Sequence, residues 1–462
     1  MKYFIKTVLA FVLISVATLT FAQTPISSII STDETWDAKG SPYQLTQNAL
    51  IKQGVTVTVL PGTIIESQNT AFKLIIDGQF IAKGKKDSVI EITHMGFDFT
   101  DKSVDYDPTT KTGSQFQYCH FEGSGSGGSR TIALKETGML VSNCKFINGY
   151  YNIYSIGSQD SVDIIIEKSV FMGKSTNYGY PIYMSGSYST RLFFNDCYVE
   201  NMYNMYVGRY LSMTGNTFNK INGSSGIRTT TNFTHLHMEC NLFKNFKYGI
   251  LDLSYPAAGA VISVTYNTFD SSAYFIKQYV YNFKPSVFDV KHNNFLNYKT
   301  NSVQIYGGTS PGSADTFSYE RNYWGTTNAS VIGHGILDFN DDITRAGLVN
   351  YSNYLAHDVQ TCSNGDTIGS ADTSGSNVGI SVLSIDDFDI YPNPVKNILK
   401  IHSRHSAIES VRVFDLKGSV VLEIANQDHH VELNLTNFEN DIYLLEINTS
   451  QGVLRKRVVK LN

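Results

Sequence analysis

Cysteine is scarce in this chain: five in 462 residues are too few for a fold held together by disulfides. An excess of one charge is lacking too. A formal net charge of −5 excludes the basic surface that nucleic acid would require. Beyond the run Val8 to Leu19, no stretch approaches the roughly 20 apolar residues of a membrane-spanning helix. Helical patterning is missing between Phe121 and Trp324, and so is the spacing of leucine-rich repeats. What is abundant is Gly (36) and Tyr (29), which fits a turn-rich β protein better than a compact α/β enzyme.

One small pattern recurs nine times: a polar residue or cysteine, any residue, then an aromatic. The first members are Cys119, Cys144, Ser169, Asp196, Asn216, Asn241, Asn267, Asn293 and Asn322. Their partners are Phe121, Phe146, Phe171, Tyr198, Phe218, Phe243, Phe269, Phe295 and Trp324, at intervals of 20 to 29 residues. Such a period without helical patterning is the signature of stacked coils. An apolar residue follows the seven aromatics from Phe146 to Phe295, at Ile153, Ile182, Met205, Ile227, Ile250, Ile276 and Val303, within stretches that alternate with period two. Strands are therefore expected. Asn tolerates the left-handed conformation and suits a bend between strands, and stacked Asn side chains can hydrogen-bond along the coil axis. The aromatics are expected inside, each on its copy.

This column resembles the right-handed parallel β-helix repeat families, whose coils read Asn-x-Phe followed by Gly-Ile, as Gly226-Ile227 and Gly249-Ile250 do. Cys119 and Cys144 depart from it. Upstream, Val55, Val57 and Val59 followed by Pro61 to Ile65 and Leu74 to Gly78 are similar to the family's early coils; Asn322 to Thr327, Ile336 to Phe339 and Val349 to Tyr351 are similar to its closing segment. The resemblance spans roughly residues 40 to 358. It implies an all-β chain with a right-handed parallel β-helix over 23–360, and no particular chemistry, since the fold hosts many activities. Cys119 and Cys144 would then sit about 4.8 Å apart on neighbouring coils; a disulfide fits, and stacked buried thiols are the favoured reading.

At the N-terminus, Lys2 and Lys6, the apolar core and Thr20-Phe21-Ala22 before Gln23 predict a signal peptide over 1–22, with no cysteine after the cut to carry a lipid. Residues 361–387, rich in Ser, Gly, Asp and Thr, read as a flexible linker. Six strand-like runs between Ile398 and Leu461 predict a small β-sandwich over 388–462. Its residues Tyr391-Pro392-Asn393-Pro394, Val411 to Asp415, Ile442-Tyr443-Leu444 and Arg455 to Lys460 resemble the type A C-terminal sorting domain of the type IX secretion system of Bacteroidetes. That resemblance implies passage through the outer membrane, removal of the domain, and release or attachment to surface lipopolysaccharide, with translocon and sortase components as partners. A secreted or surface-bound monomer is expected.

Chemistry is less legible. One position after the inward aliphatics stand Tyr154, Tyr183, Tyr206, Arg228, Leu251 and Lys277, which strand alternation points outward. Three tyrosines leading into Arg228 and Lys277 predict a flat aromatic strip for an extended acidic polysaccharide; the plain alternative is a tyrosine ladder packed on itself. His235, His237 and Glu239 share a strand face and could hold zinc, without an identifiable further ligand. Asp98, Asp101, Asp105 and Asp107 could hold calcium but lack EF-hand spacing, so a solvated loop is favoured. Gly333-His334-Gly335 resembles one polygalacturonase motif whose companions are absent, and reads as part of the closing segment. For lyase chemistry Arg228 or Lys277 could be the base, but the carboxylate between them, Asp252, is expected to turn inward. A binding or adhesive stalk is therefore favoured. A polysaccharide lyase or hydrolase is the alternative, and a rigid spacer the third reading.

Overall fold

The computed structural model describes residues 23–359 and 388–460, apart from 124–129, 158–161, 174–178, 186–189, 224, 231, 254–255, 280–284, 307–314, 343, 346, 393–394, 404–406, 416–419 and 450–451. The expected signal peptide, the linker, and Asn393 and Pro394 of the sorting motif lie outside the described residues.

Each coil contributes three short strands, and each strand pairs in parallel with its counterpart one coil on. Three parallel sheets of 12, 13 and 11 strands result. A first face carries the anchor segments, such as Lys145–Ile147 and Leu242–Lys244. A second carries the strands after the anchor, such as Tyr151–Ile156 and Tyr180–Ser185. A third carries those before the next anchor, such as Asp163–Glu167, where Ile164 and Ile166 point inside. All three faces enclose one continuous apolar core. At the far end Ala329–His334 forms a short helix capped by Asn328, and Ile336–Leu337 adds the last strand of the second face. Gly333-His334-Gly335 is the end of that helix and its cap, as the closing-segment reading expected.

The sequence expected the Asn column itself to make the bend. Instead the residue before it does: Tyr118, Asn143, Lys168, Asp196, Gly215, Cys240, Tyr266, His292 and Arg321 all have φ between 48° and 73°. A second left-handed residue closes the anchor strand five positions on, at Gly123, Asn148, Asn201, Lys220, Asn245, Ser271 and Asn297. Non-glycine residues bear about 1–2 kcal/mol each for this conformation. It frees the column side chain to turn inward and bond along the axis. Lys168, exposed with φ 48°, tests the point: Lys168→Gly is expected to raise stability by about 0.5–1 kcal/mol in thermal unfolding, whereas Lys168→Val lowers it. A glycine variant that melts earlier would contradict the assignment.

Inside the corner, the Asn216 amide donates to the side-chain oxygen of Asn241 at 2.8 Å, Asn241 to Asn267 at 2.9 Å, Asn267 to Asn293 at 3.0 Å and Asn293 to Asn322 at 3.0 Å. The same oxygens accept the backbone N–H of the preceding coil's Asn at 2.8–3.0 Å. In the earlier coils thiols replace the amides: Cys144 Sγ lies 3.5 Å from the Phe116 carbonyl and 3.3 Å from that of Ser142. Cys119 and Cys144 are buried free thiols, as favoured, and Cys197 is a third; burial raises the pKa of Cys119 and Cys197. Cys240, at the bend, is disulfide-bonded.

The aromatics stack inside as expected, with Phe121–Phe146 at 4.5 Å, Phe146–Phe171 at 4.7 Å, Phe243–Phe269 at 5.2 Å and Phe295–Trp324 at 4.8 Å. One anchor is corrected. Cys197 and Val199, not Asp196 and Tyr198, occupy the column: the Cys197 N–H bonds Asn216 at 2.9 Å and Val199 pairs with Phe171 and Phe218. Asp196 makes the bend, and Tyr198 faces outward toward Glu200 at 3.0 Å. The ring missing at Val199 is supplied from the third face by Phe194, 5.8 Å from Phe171 and 6.0 Å from Phe218.

The C-terminal residues form an antiparallel three-stranded sheet (Phe388–Tyr391, Ile398–Ser403, His430–Asn434) and a four-stranded one (Val420–Asp428, Ile408–Phe414, Ile442–Thr449, Gly452–Val459). Residues of both, among them Leu399, Ile401, Val411, Val413, Leu433 and Leu445, share one core, which makes a small β-sandwich.

Candidate functional site: an in-register row on the second face

Strict alternation breaks on the second face. Tyr151-Asn152-Ile153-Tyr154 runs outward, in, in, outward, and so do Tyr180 to Tyr183, Tyr203 to Tyr206 and Tyr274 to Lys277. The buried pair marks the turn onto the face: Asn152 donates its amide to the Tyr180 carbonyl at 3.1 Å, which lets its neighbours Tyr151 and Tyr154 both emerge. Two outward columns follow, one coil per step.

The first column is the expected one: Tyr154 pairs with Tyr183, Tyr183 with Tyr206, and Tyr206 with Arg228. Arg228 then pairs with Asp252, and Asp252 with Lys277. Leu251 and Ile250 are therefore out of the places the sequence assigned them. Leu251 lies inward between Ile227 and Ile276, and Ile250 is buried as well. Asp252, expected inward, stands in the outward column, though its neighbours cover it to 5% exposure, and it accepts from Ser225 Oγ at 3.3 Å.

The second column was missed: Tyr151, Tyr180 and Tyr203, then Ser225, Gly249 and Tyr274. Its signal is Tyr-x-x-Tyr, three times over, at Tyr151, Tyr180 and Tyr203. Gly249 is required because a Cβ there would lie 2.0 Å from the Tyr274 ring. Within each column the rings stack, Tyr151–Tyr180 at 5.1 Å, Tyr180–Tyr203 at 5.5 Å and Tyr154–Tyr183 at 5.5 Å, while Tyr151–Tyr154 and Tyr180–Tyr183 meet edge to face. The flat strip is thus corrected. Strands about 4.8 Å apart bring like rings onto one another, so the surface offers ring edges and phenol hydroxyls rather than open faces.

Cations bracket the tyrosines. The Arg130 guanidinium lies 3.8 Å over the Tyr154 ring and Arg228 5.8 Å over Tyr206. Lys277 Nζ is 4.1 Å from the Tyr306 ring centroid and 5.0 Å from Tyr279. Burial and neighbouring phenols push Tyr180 up to about 12, and Tyr151 and Tyr274 upward as well, so these hydroxyls stay neutral donors. Burial pulls Lys277 down, but the Tyr279 hydroxyl and the Asp252 carboxylate outweigh it and hold the ammonium above its ordinary range.

The other candidates are placed separately. On the third face His235 stacks on Tyr210 at 4.4 Å, and His237 lies 3.5 Å from Glu239. Each of the four aspartates has its own partner: Asp98 binds Lys73 at 2.9 Å, Asp101 binds Lys135 at 2.9 Å, Asp105 accepts the Gly138 N–H at 2.7 Å and Asp107 that of Thr109 at 2.7 Å. Among the described residues no three His, Cys, Asp or Glu side chains are grouped as a metal site.

Residues 389–461 match the family described as the secretion system C-terminal sorting domain. They are a type IX secretion sorting domain. It directs export by the type IX machinery, to the medium or the cell surface. Tyr391 and Pro392 of its opening motif lie at the exposed end of the strand Phe388–Tyr391. No curated protein and no solved structure matches the chain.

Proposed function

We propose that the β-helix, once exported, binds an extended extracellular acidic polysaccharide along its second face. The observation that carries this is the unbroken register from Tyr154 to Lys277, which sets three hydroxyl donors on successive coils and then two cations, one on either side of the covered Asp252, along the axis. An extended β-linked sugar chain advances by close to one strand spacing per residue, so each sugar meets an equivalent coil. Phenol hydroxyls pair with sugar hydroxyls, and Arg130, Arg228 and Lys277 pair with carboxylates or sulfates. The sorting domain fits this reading, because it delivers the chain to where such polymers are. Binding is preferred over elimination or hydrolysis because the carboxylate of the row, Asp252, is covered and held by Ser225.

The test is binding of the full chain to a panel of acidic and neutral glycans at several salt concentrations. Acidic polymers should be retained and released as salt rises through the range where the Debye length falls below about 10 Å. With rising pH, retention should persist past the ordinary lysine range, because the raised Lys277 pKa keeps that cation charged. Salt-independent binding, or retention of no glycan at all, would reject the proposal. Under the latter result the coil is a spacer.

A further inference from the structure

The row Tyr154, Tyr183, Tyr206 has two ends, and an arginine lies over the ring at each. Arg130 stands one coil before Tyr154, and its guanidinium lies 3.8 Å over that ring. Arg228 stands one coil after Tyr206, with its guanidinium 5.8 Å over that ring. The order along the axis is therefore Arg130, Tyr154, Tyr183, Tyr206, Arg228. Contact with a ring engages the flat face of a guanidinium and leaves its N–H edge for another partner. Among the described residues the ion pairs of arginine fall elsewhere, at Arg191, Arg345 and Arg412. None of them joins Arg228 to its register neighbour Asp252. We propose that Arg130 and Arg228 are the two ends of a clamp that takes an internal stretch of about five sugars, anionic at both ends of the stretch.

The inference rests on the glycan reading above and sets the length of the site. Four strand spacings, about 19 Å, separate the two arginines. An extended β-linked chain turns each sugar over relative to the last, so sugars four apart present the same side and meet both guanidiniums. The sugars between them lie over Tyr154, Tyr183 and Tyr206. A phenol hydroxyl both donates and accepts, so it serves whichever edge of the sugar is turned toward it. A shorter oligomer reaches one arginine or the other, never both. Once one end is held, binding at the second is intramolecular and adds affinity without a further loss of translational freedom.

The experiment measures binding of β-1,4-linked mannuronate oligomers of graded length to the full chain at fixed ionic strength. Affinity should rise about tenfold between about four and about six sugars, and change little beyond that. Arg130→Gln and Arg228→Gln should each remove the step. The loss is about tenfold on the longer oligomers and at most about twofold on the shorter ones, which still have the other arginine. Arginines that only cap the ring row would, when replaced, affect every length alike or none. The wild-type length series decides the matter even where a variant loses the fold by circular dichroism. An affinity that climbs evenly with length, or arginine losses that are absent or equal at every length, overturns the clamp and leaves polysaccharide binding standing. Retention of no oligomer and of no polymannuronate overturns the proposed function itself.

Discussion

Replacing Tyr154, Tyr183 and Tyr206 together by Phe should leave the melting temperature within about 2 °C of wild type and weaken acidic-polysaccharide binding at least about tenfold. The rings pack on each other, stacked at Tyr154–Tyr183 and tilted at Tyr183–Tyr206, and Phe keeps those ring contacts. Among the described residues the one intramolecular bond lost is the long 3.5 Å one from the Asn204 amide to the Tyr206 hydroxyl, so stability changes little. What disappears is one hydroxyl per coil. At about 0.5–1.5 kcal/mol for each hydrogen bond to the sugar chain, three losses amount to a tenfold change or more. A ladder that only packs against itself would respond in the opposite way: binding unchanged on Phe substitution and stability lost on Ala substitution. Titration of both variants against the same polymer, alongside thermal unfolding, separates the two.

Asn267→Ala should destabilise the β-helix by about 3–5 kcal/mol, far beyond an ordinary surface change. Asn267 is fully buried. Its amide donates to the Met238 carbonyl at 2.9 Å, the Thr265 carbonyl at 3.0 Å and Asn293 at 3.0 Å, while its oxygen accepts both the N–H and the amide of Asn241. Truncation strands donors and acceptors on both neighbouring coils where water does not reach, and each costs about 1–3 kcal/mol. Asn267→Asp is a useful companion, since a buried carboxylate beside Asn293 Oδ1 loses the donor and gains a charge. Denaturant unfolding that places Asn267→Ala within about 1 kcal/mol of wild type would show that the ladder contributes little.

The architecture was legible because an Asn or Cys followed two residues later by an aromatic anchors seven of the nine repeats from Cys119 to Trp324, and each anchor must repeat for the ladder and the ring stack to close. Its failures have physical reasons. At Asp196 and Tyr198 the polar–aromatic wording is present but out of register by one. Phe194 fills the core from another face, so Val199 suffices in the column, and a single-column reading could not see that compensation. Asn was expected at the bend from its tolerance of φ > 0, yet its side chain is worth more inside, and bulky residues such as Tyr266 and Arg321 bear the strain instead. On the second face the tyrosines and both cations came out in register. Asp252 did not, because period-two alternation ignores the inward pair that turns the chain onto the second face. The second tyrosine column was written plainly as Tyr-x-x-Tyr, but its geometry depends on that same turn. The sorting domain needed no three-dimensional reasoning, because its motif carries an address rather than a reaction.

Hydroxyl-radical footprinting of the full chain, with and without a bound acidic polysaccharide, reaches the central claim most directly. Side-chain oxidation should fall at Tyr154, Tyr183, Tyr206 and Tyr203 when the polymer is bound, while Tyr248 and Tyr391, exposed and outside the row, should react as before. Bound polymer that leaves the tyrosine columns as reactive as in the free protein, or that protects the third face around Tyr210 and His235 instead, would contradict it.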